Sequence, residues 1–246
     1  MSSISDNNDY PSFCLQAALD DDTFCTFKKN VVYNNILEHV TYAEGIEYIN
    51  HFKDNPVIMS ALDLFRSNDK LGAPRTYNFP LVGNFSPTTL RYIKVLHDLM
   101  MQLDLNGKHV VEIGAGYGGQ YTVMRQVFKP LSYTFVDLSP VVKLIEKYVK
   151  RLSLDDIPLN FVAHTDVPKQ ISCDLAISNY AFSECNIHTQ DIYISSILQH
   201  AKSCYMIHNN FNGYPYSDFI NKISNSSVRV TDESPRTHPN NVLITW

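Results

Sequence analysis

An acid and a cluster of glycines lie together in the middle of the chain, where an apolar run ends. Residues 109–119 read His-Val-Val-Glu-Ile-Gly-Ala-Gly-Tyr-Gly-Gly. Glycines let the backbone turn tightly and bring its N–H groups close to a ligand. The acid, Glu112, suits a cationic or amino-bearing ligand better than a pyrophosphate, because a carboxylate repels a phosphate. The segment therefore predicts a buried strand followed by a loop that binds a nucleotide-like, positively charged ligand.

Two ligand classes match this glycine-rich loop. The glycines at 114, 116 and 119 have the G-x-G-x-x-G spacing of dinucleotide-binding enzymes. S-adenosylmethionine, which carries an ammonium and a sulfonium, also explains the acid before the first glycine. A buried acid satisfied by backbone donors is the alternative for Glu112 taken singly. We expect S-adenosylmethionine, with Glu112 near its methionine portion and with these loop residues as ligands: Gly114, Ala115, Gly116, Tyr117 and Gly118.

A second acid follows at the distance that this ligand requires. Residues 131–137 are rich in β-branched and aromatic side chains and predict the next strand, which ends at Asp137. An acid about 20 residues beyond the glycines can accept both ribose hydroxyls, and the adjacent Leu138 is assigned to the same ligand. The alternative is that Asp137 caps the helix that begins near Ser139 and Pro140.

The elements that position these residues alternate between strand and helix. Strands are predicted at 159–163, 174–178 and 203–208, with helices at 120–128 and 190–202. This alternation predicts a parallel sheet with right-handed crossovers. A polar loop too short for a crossover helix joins residues 228–230 to 241–246, which predicts an antiparallel hairpin. The expected fold class is α/β, a Rossmann-like sheet of the class I methyltransferase type that is mostly parallel and ends in this hairpin.

The N-terminal part has a different pattern. Residues 11–84 carry apolar residues mostly at helical spacing, and 68–85 predict a structured loop. A helix should begin at Ser86-Pro87 and run to about residue 103. It must lie antiparallel to the first strand of the sheet, so its N-terminus, with Thr88 and Arg91, should lie near the glycine loop and could receive a carboxylate. We expect a helical extension and active-site cap over 1–85 and an S-adenosylmethionine-binding domain over 86–246.

Composition excludes several classes of function. The net charge is −5 and lysines and arginines are scattered, which argues against a nucleic-acid partner. The five cysteines form no C-x-x-C pair, as is typical of a reducing cytoplasm. No apolar run reaches the length of a membrane span, and the N-terminus lacks the order of a secretory signal. We expect a cytoplasmic protein, and the sequence assigns no metal ligand and no oligomeric state.

Four segments together resemble a known family. They are Val-Glu-Ile-Gly-Ala-Gly-Tyr-Gly-Gly, Ser-Pro-Thr-Thr-Leu-Arg-Tyr at 86–92, Ile-Ser-Asn-Tyr-Ala-Phe-Ser-Glu at 177–184, and Asn-Asn-Val-Leu-Ile-Thr-Trp at 240–246. Over residues 68–246 the chain resembles a family of sugar O-methyltransferases within the class I S-adenosylmethionine-dependent enzymes. The glycine loop is generic to the class, whereas the run from Ser178 to Glu184 is more diagnostic. The resemblance implies methyl transfer to a sugar hydroxyl of a glycan or nucleotide-sugar acceptor.

A sugar hydroxyl is a poor nucleophile, so a general base should assist the transfer. His208 ends the fifth strand and is followed by Asn209 and Asn210, whose amides suit sugar hydroxyls. Glu184 is the rival base. The alternatives are a histidine satisfied in the core and a glutamate that caps a helix or holds a loop.

Further polar and aromatic residues complete the predicted site. Tyr180, Tyr77 and His238 are expected to contact the acceptor, although a turn is the stronger alternative for His238. Asp166, Ser178 and Asn179 are expected to contact the cofactor, with a simple turn acid as the alternative for Asp166. Other readings remain open, namely an NAD(P)-dependent oxidoreductase, a methyltransferase of a non-sugar small molecule, and a binding module without catalysis.

Overall fold

The computed structural model describes residues 8–210, 215–223 and 227–246. The helices are α1 (Asp9–Leu19), α2 (Asp21–Thr26), α3 (Val31–Tyr33), α4 (Tyr42–Phe52), α5 (Pro56–Ser60), α6 (Leu62–Phe65), α7 (Pro87–Gln102), α8 (Gly119–Met124), α9 (Ser139–Arg151), α10 (Ala181–Glu184), α11 (Ile187–Ser196) and α12 (Tyr216–Lys222). The strands are β1 (Tyr77–Phe79), β2 (Gly83–Phe85), β3 (His109–Ile113), β4 (Ser132–Asp137), β5 (Leu159–Ala163), β6 (Cys173–Asn179), β7 (Ala201–His208), β8 (Arg229–Asp232) and β9 (Val242–Thr245).

A seven-stranded sheet forms the centre of the molecule, in the order β5-β4-β3-β6-β7-β9-β8. The strands from β3 to β7 are parallel, whereas β9 runs antiparallel to both β7 and β8. The predicted α/β fold, a mostly parallel sheet with a C-terminal antiparallel hairpin, is confirmed. Because β4, β3 and β6 are parallel neighbours, their carboxyl ends meet at one edge of the sheet, where ligands bind in such folds.

Helix α7 is positioned by its own sequence. The Ser86 hydroxyl accepts a hydrogen bond from the Thr89 amide at 3.1 Å, and Pro87 occupies the first turn, where no amide donor is needed. The helix buries most of its length against the sheet and α4. The start at Ser86 and the end near residue 103 were predicted correctly.

Several predicted element bounds were wrong. Helix α8 ends at Met124 instead of residue 128, because the amides of Gln126 and Val127 bond to carbonyls three residues back and tighten the turn. Helix α11 begins at Ile187, with Asn186 as its cap, and residues 201–202 belong to β7, since Ala201 pairs with Cys173 of β6. The loop predicted at 68–85 contains the β1–β2 hairpin.

The sheet is covered on both faces. The N-terminal helices, α7, α8 and α9 share one apolar cluster with the sheet, and α10, α11 and α12 cover the other face. Within the described ranges, no helix is long and apolar enough to cross a membrane. All five cysteines are free thiols.

Candidate active site

A cavity of about 460 Å³ opens at the carboxyl edge of the sheet. Its floor comes from the ends of β3, β4 and β6, and its roof comes from residues 36–40 and helix α4. The sequence-predicted residues that line it are Arg91, Gly114, Gly116, Asp137, Leu138, Asn179, Tyr180, Glu184, Asn209 and His238. The cavity therefore brings together residues that are widely separated in the chain.

The glycine loop passes close to other groups at two positions. Gly114 and Gly116 have φ angles of +75° and +61°, which side chains rarely adopt. A Cβ at Gly114 would lie 2.0 Å from the Ala181 Cβ, and a Cβ at Gly116 would lie 2.9 Å from Leu37 Cδ1. Only glycine leaves this part of the cavity open, as the sequence pattern requires.

Asp137 connects this loop to β4. Its Oδ2 accepts the Gly116 amide at 2.9 Å, and its Oδ1 accepts the Leu138 amide at 2.7 Å. Helix α9 has no side-chain N-cap, so Asp137 does not cap it. Burial raises the pKa of the Asp137 carboxyl to about 6. The acid faces the cavity from the position expected for a ribose ligand.

Glu112 does not line the cavity. It is 2% exposed and accepts a hydrogen bond from the Tyr133 hydroxyl at 2.7 Å, behind the glycine loop. Burial raises the pKa of its carboxyl to about 8. Glu112 therefore matches the alternative stated above, a buried acid with its hydrogen bond satisfied inside the protein. The donor is the Tyr133 phenol and not a backbone amide.

Other predicted cofactor residues support the cavity wall from behind. The Thr88 hydroxyl donates to the Leu37 carbonyl at 3.3 Å, and the Ser178 hydroxyl donates to the Ile113 carbonyl at 3.0 Å. The remaining loop residues, which are absent from the lining, are Ala115, Tyr117 and Gly118. Asp166 is exposed in the turn after β5, also away from the lining.

Arg91 brings a positive charge to the cavity. It is 8% exposed, and its Nη2 donates to the Leu37 carbonyl at 3.4 Å. Its buried Nε has no hydrogen-bond partner among the described residues. The guanidinium carbon lies 5.7 Å from the centre of the Tyr180 ring. Arg91 therefore places a guanidinium at the cavity wall.

Tyr180 is held in an unusual backbone conformation with a φ of +69°. Its amide donates to the Ile207 carbonyl at 2.9 Å, and its hydroxyl donates to Glu233. Glu233, 3% exposed, also accepts from the Thr237 hydroxyl at 2.7 Å and from the Asn241 amide at 2.8 Å. The phenol is therefore fixed at the cavity wall by a buried carboxylate of the C-terminal hairpin.

The two predicted bases differ in position. Glu184 lines the cavity, and its Oε1 accepts the Asn209 side-chain amide at 3.1 Å. His208 is 1% exposed and absent from the lining, and its Nδ1 accepts the Asn210 amide at 3.2 Å. Burial lowers the pKa of His208 to about 4. Only Glu184 is thus in reach of a molecule in the cavity.

Of the residues predicted to bind the acceptor, some line the cavity and others do not. Asn209 and His238 line the cavity beside Tyr180. Asn210 does not, because its side chain donates to the Asn240 carbonyl at 3.0 Å and accepts the Tyr216 amide. Tyr77 packs against Tyr42, with 5.6 Å between ring centres, away from the lining. Phe211 and Asn212, which continue the polar run, lie outside the described residues.

Sequence reasoning missed the N-terminal side of the cavity. The lining residues that it did not find include Tyr10, His39, Glu44 and Tyr48 from this side, and His164 and Tyr193 from the sheet domain. The sequence did contain one signal for this side of the cavity, at the start of α4. Thr41 and Glu44 form a capping box, in which Thr41 Oγ1 accepts the Glu44 amide and the carboxylate accepts the Thr41 amide. That box fixes the start of α4, which carries Glu44 and Tyr48 into the roof.

Known proteins similar to this chain are methyltransferases. A stretch of 69 residues is 35% identical to a phthiotriol/phenolphthiotriol dimycocerosates methyltransferase of Mycobacterium leprae and covers 28% of this chain and 25% of that protein. A stretch of 47 residues is 38% identical to a fatty-acid O-methyltransferase of Mycolicibacterium smegmatis and covers 19% of this chain and 17% of that enzyme. These matches thus span a quarter or less of each relative's length.

An rRNA methylase from Streptococcus thermophilus superposes with a TM-score of 0.46 at 16% identity, over 63% of this chain and 95% of that one. No protein-family model matches the sequence.

Proposed function

We propose that the protein is an S-adenosylmethionine-dependent methyltransferase that acts on a hydroxyl group of a sugar. The observation that carries this proposal is the Asp137 carboxylate, which faces the cavity from the end of β4 and holds the glycine loop through Gly116. The local identity with methyltransferases supports the same activity. The sugar as acceptor is supported by the family resemblance of the segment from Ser178 to Glu184.

The residues of the cavity fit this cofactor. Gly114 and Gly116 form a cradle that a Cβ would fill, and Asp137 can accept the ribose hydroxyls. Leu138 offers an apolar surface to the adenine, and the Arg91 guanidinium suits the methionine carboxylate. When bound, the cofactor supplies an electrophilic methyl group on a sulfonium.

The chain's own residues would position the acceptor and move its proton. Residues 36–40 and α4 cover the cavity and would help to hold the acceptor oxygen in line with the methyl group. Glu184 takes the proton of the acceptor hydroxyl, and Asn209 orients the Glu184 carboxylate. Tyr180, His238 and Asn209 offer hydrogen-bonding groups to the sugar. His208 instead supports this wall from the far face of the sheet.

A lipid hydroxyl or carboxyl group is the second candidate acceptor. The curated relatives include enzymes named for a dimycocerosate and a fatty acid. The side chains of Ile36, Leu37 and Val40 line the roof and would suit an alkyl chain. An NAD-dependent oxidoreductase is the other alternative, because an acid in the position of Asp137 also accepts the ribose hydroxyls of NAD. The local identity with methyltransferases favours S-adenosylmethionine instead.

Calorimetry with S-adenosylhomocysteine and with NAD tests the cofactor. We expect the first to bind and Asp137→Ala to lose roughly 1.5–3 kcal/mol for each hydrogen bond removed. Asp137→Asn is the matched variant, since it keeps the shape of the side chain. Preference for NAD, or unchanged affinity in both variants, would refute the proposal.

Methyl transfer to a panel of rhamnose- or fucose-containing glycans and of hydroxylated or free fatty acids then identifies the acceptor. With the active acceptor, Glu184→Gln should lower turnover by about 10²–10⁴-fold and leave S-adenosylhomocysteine affinity unchanged. Turnover on lipids only would exclude the sugar, and parental turnover by Glu184→Gln would exclude this base.

A further inference from the structure

A second cluster of ionisable groups lies away from the cavity, where α4 packs against α7. His51 comes from the last turn of α4, and His97 and Asp98 come from α7. Asp98 is seven residues beyond Arg91 on the same helix, which places it about 10 Å further along the axis. The cluster therefore belongs to the contact between the cap and the sheet domain and not to the cavity.

Each of the three side chains places one possible metal-ligand atom close to those of the other two. His51 Nε2 lies 2.7 Å from Asp98 Oδ1, and His97 Nδ1 lies 3.7 Å from the same oxygen. The three ligand atoms all lie within 4.8 Å of one another. Around a tetrahedral Zn²⁺, donor atoms are about 3.3–3.5 Å apart, so the two histidine–carboxylate distances of 2.7 Å and 3.7 Å lie on either side of the separation that an ion requires.

One of these ligand atoms lacks a hydrogen bond. His97 Nδ1 is buried and has no hydrogen-bond partner within the part of the chain that the structure describes. The three side chains are between 13% and 24% exposed, so the cluster lies near the surface of the molecule. A buried imidazole nitrogen aimed at a carboxylate oxygen is the arrangement that metal ligation would satisfy.

The carboxylate is held in place through its other oxygen. Asp98 Oδ2 accepts the Tyr205 hydroxyl at 2.6 Å and lies 2.8 Å from Lys94 Nζ. Partners of this kind orient a ligating carboxylate and leave Oδ1 directed at the two histidines. A ligating carboxylate must be ionised, and the Lys94 ammonium beside Oδ2 favours the ionised form.

We propose that His51, His97 and Asp98 form a binding site for a divalent transition metal, Zn²⁺ in the first place. Imidazole nitrogens and a carboxylate oxygen are ligands that suit Zn²⁺, and water would take the fourth position. On binding, the ion replaces the proton shared by His51 Nε2 and Asp98 Oδ1, and that proton leaves to the buffer. The ammonium of Lys94 remains beside Oδ2 and moderates the affinity.

The bound ion would fasten the roof of the cavity to the sheet domain. Helix α4 carries Glu44 and Tyr48 into the roof, and α7 carries Arg91 into the wall. A metal that joins the far ends of the two helices restrains their relative position without touching the reacting groups. Its role is structural, and it does not depend on which acceptor the cavity takes.

Titration calorimetry of the full chain with Zn²⁺, after dialysis against a chelator, tests the site. We expect one ion per chain, and we expect the thermal midpoint to rise with Zn²⁺ concentration. His97→Ala and His51→Ala should each bind Zn²⁺ at least about tenfold more weakly and lose the thermal shift.

His109→Ala is the matched control, because His109 is an exposed histidine outside the cluster, with its Nδ1 2.7 Å from Ser132 Oγ. It should bind Zn²⁺ like the parent. Two results would overturn the proposal: no binding by the parent chain, or equal binding by the parent and both cluster variants. Circular dichroism of His97→Ala verifies that its fold is intact, and His51→Ala decides the question if that variant unfolds.

Discussion

At the scale of single residues, Glu112 is a buried acid that should retain its proton at neutral pH. It is 2% exposed, and the Tyr133 hydroxyl donates to it at 2.7 Å. Burial, assisted by the charge of Asp137, raises the pKa of Glu112 from 4.5 to about 8. Between pH 4.5 and about pH 8, Glu112 holds a proton in the folded chain that it has released in the unfolded chain. Stability must therefore fall as pH rises through this window.

The first prediction concerns Glu112→Gln. In the parent, the free energy of unfolding should fall by about 2 kcal/mol between pH 6 and pH 8, whereas the variant should show a flatter profile. The measurement starts at pH 6 because Asp137 also affects stability at lower pH. Its pKa is raised from 3.8 to about 6, so its ionisation lowers the free energy of unfolding mainly below pH 6. Urea unfolding at a series of pH values measures both curves. Parallel curves for parent and variant would show that Glu112 ionises normally.

The sequence predicted which residue types meet at the sheet edge, but not the direction of each side chain. Alternate residues of a strand face opposite sides of the sheet. In β7, Tyr205 and Ile207 belong to the apolar cluster under the N-terminal helices. Met206 belongs to the apolar cluster on the opposite face of the sheet. His208 lies on that opposite face too, beside Phe182 and Tyr216. Because both faces are buried, the strand shows no polar alternation from which this direction could be read.

At the scale of elements, the glycine loop and the roof segment depend on each other. Leu37 lies over Gly116, and the Leu37 carbonyl accepts hydrogen bonds from Thr88 and Arg91. The segment 34–38 therefore connects the start of α7 with the cofactor loop. A side chain added to the loop would push this segment away.

The second prediction compares two glycine substitutions. Gly116 and Gly107 have similar φ angles of +61° and +67°, but a Cβ at Gly107 meets nothing within 4 Å. Both Gly→Ala variants carry the same backbone strain, so the difference between them isolates the contact with Leu37. We expect Gly116→Ala to lose at least tenfold in S-adenosylhomocysteine affinity, and Gly107→Ala to keep it.

Calorimetry measures the S-adenosylhomocysteine affinity of the two single variants and of the double variant Gly116→Ala/Leu37→Ala. Partial recovery in the double variant is expected, since the crowding atom is removed. Equal affinities for the two single variants would show that the loop does not need the space at Gly116.

Elements with strong local signals were predicted well, and elements set by distant partners were not. The start of α7 follows from Ser86 and Pro87 without reference to the rest of the chain. The end of α11 instead depends on β7, because pairing with β6 draws Ala201 into the sheet. Boundaries of the second kind need the tertiary structure.

At the scale of the whole molecule, the N-terminal extension and the sheet domain share a core. Lys28 is 1% exposed, and its Nζ donates to the Asn68 carbonyl at 2.7 Å and lies 3.9 Å from the centre of the Tyr117 ring. The Phe27 ring is 5.9 Å from that of Tyr117 and 6.1 Å from that of Tyr148. The predicted boundary at residue 85 thus crosses a continuous apolar cluster. Periodicity predicted that residues 11–84 are mostly helical, but contacts across about a hundred residues leave no local pattern.

The third prediction is that residues 86–246 will not fold cooperatively when expressed without residues 1–85. Removal of the extension would expose the apolar faces of Tyr92, Tyr117 and Tyr148, which a small domain cannot leave in water without a large loss of stability. We expect a broad urea transition and binding of a hydrophobic dye by the truncated chain. Co-expression with residues 1–85 as a separate chain should restore a sharp transition and binding of S-adenosylhomocysteine, since the shared cluster can form again. A sharp transition for residues 86–246 without the extension would instead establish them as an independent domain and the extension as a removable cap.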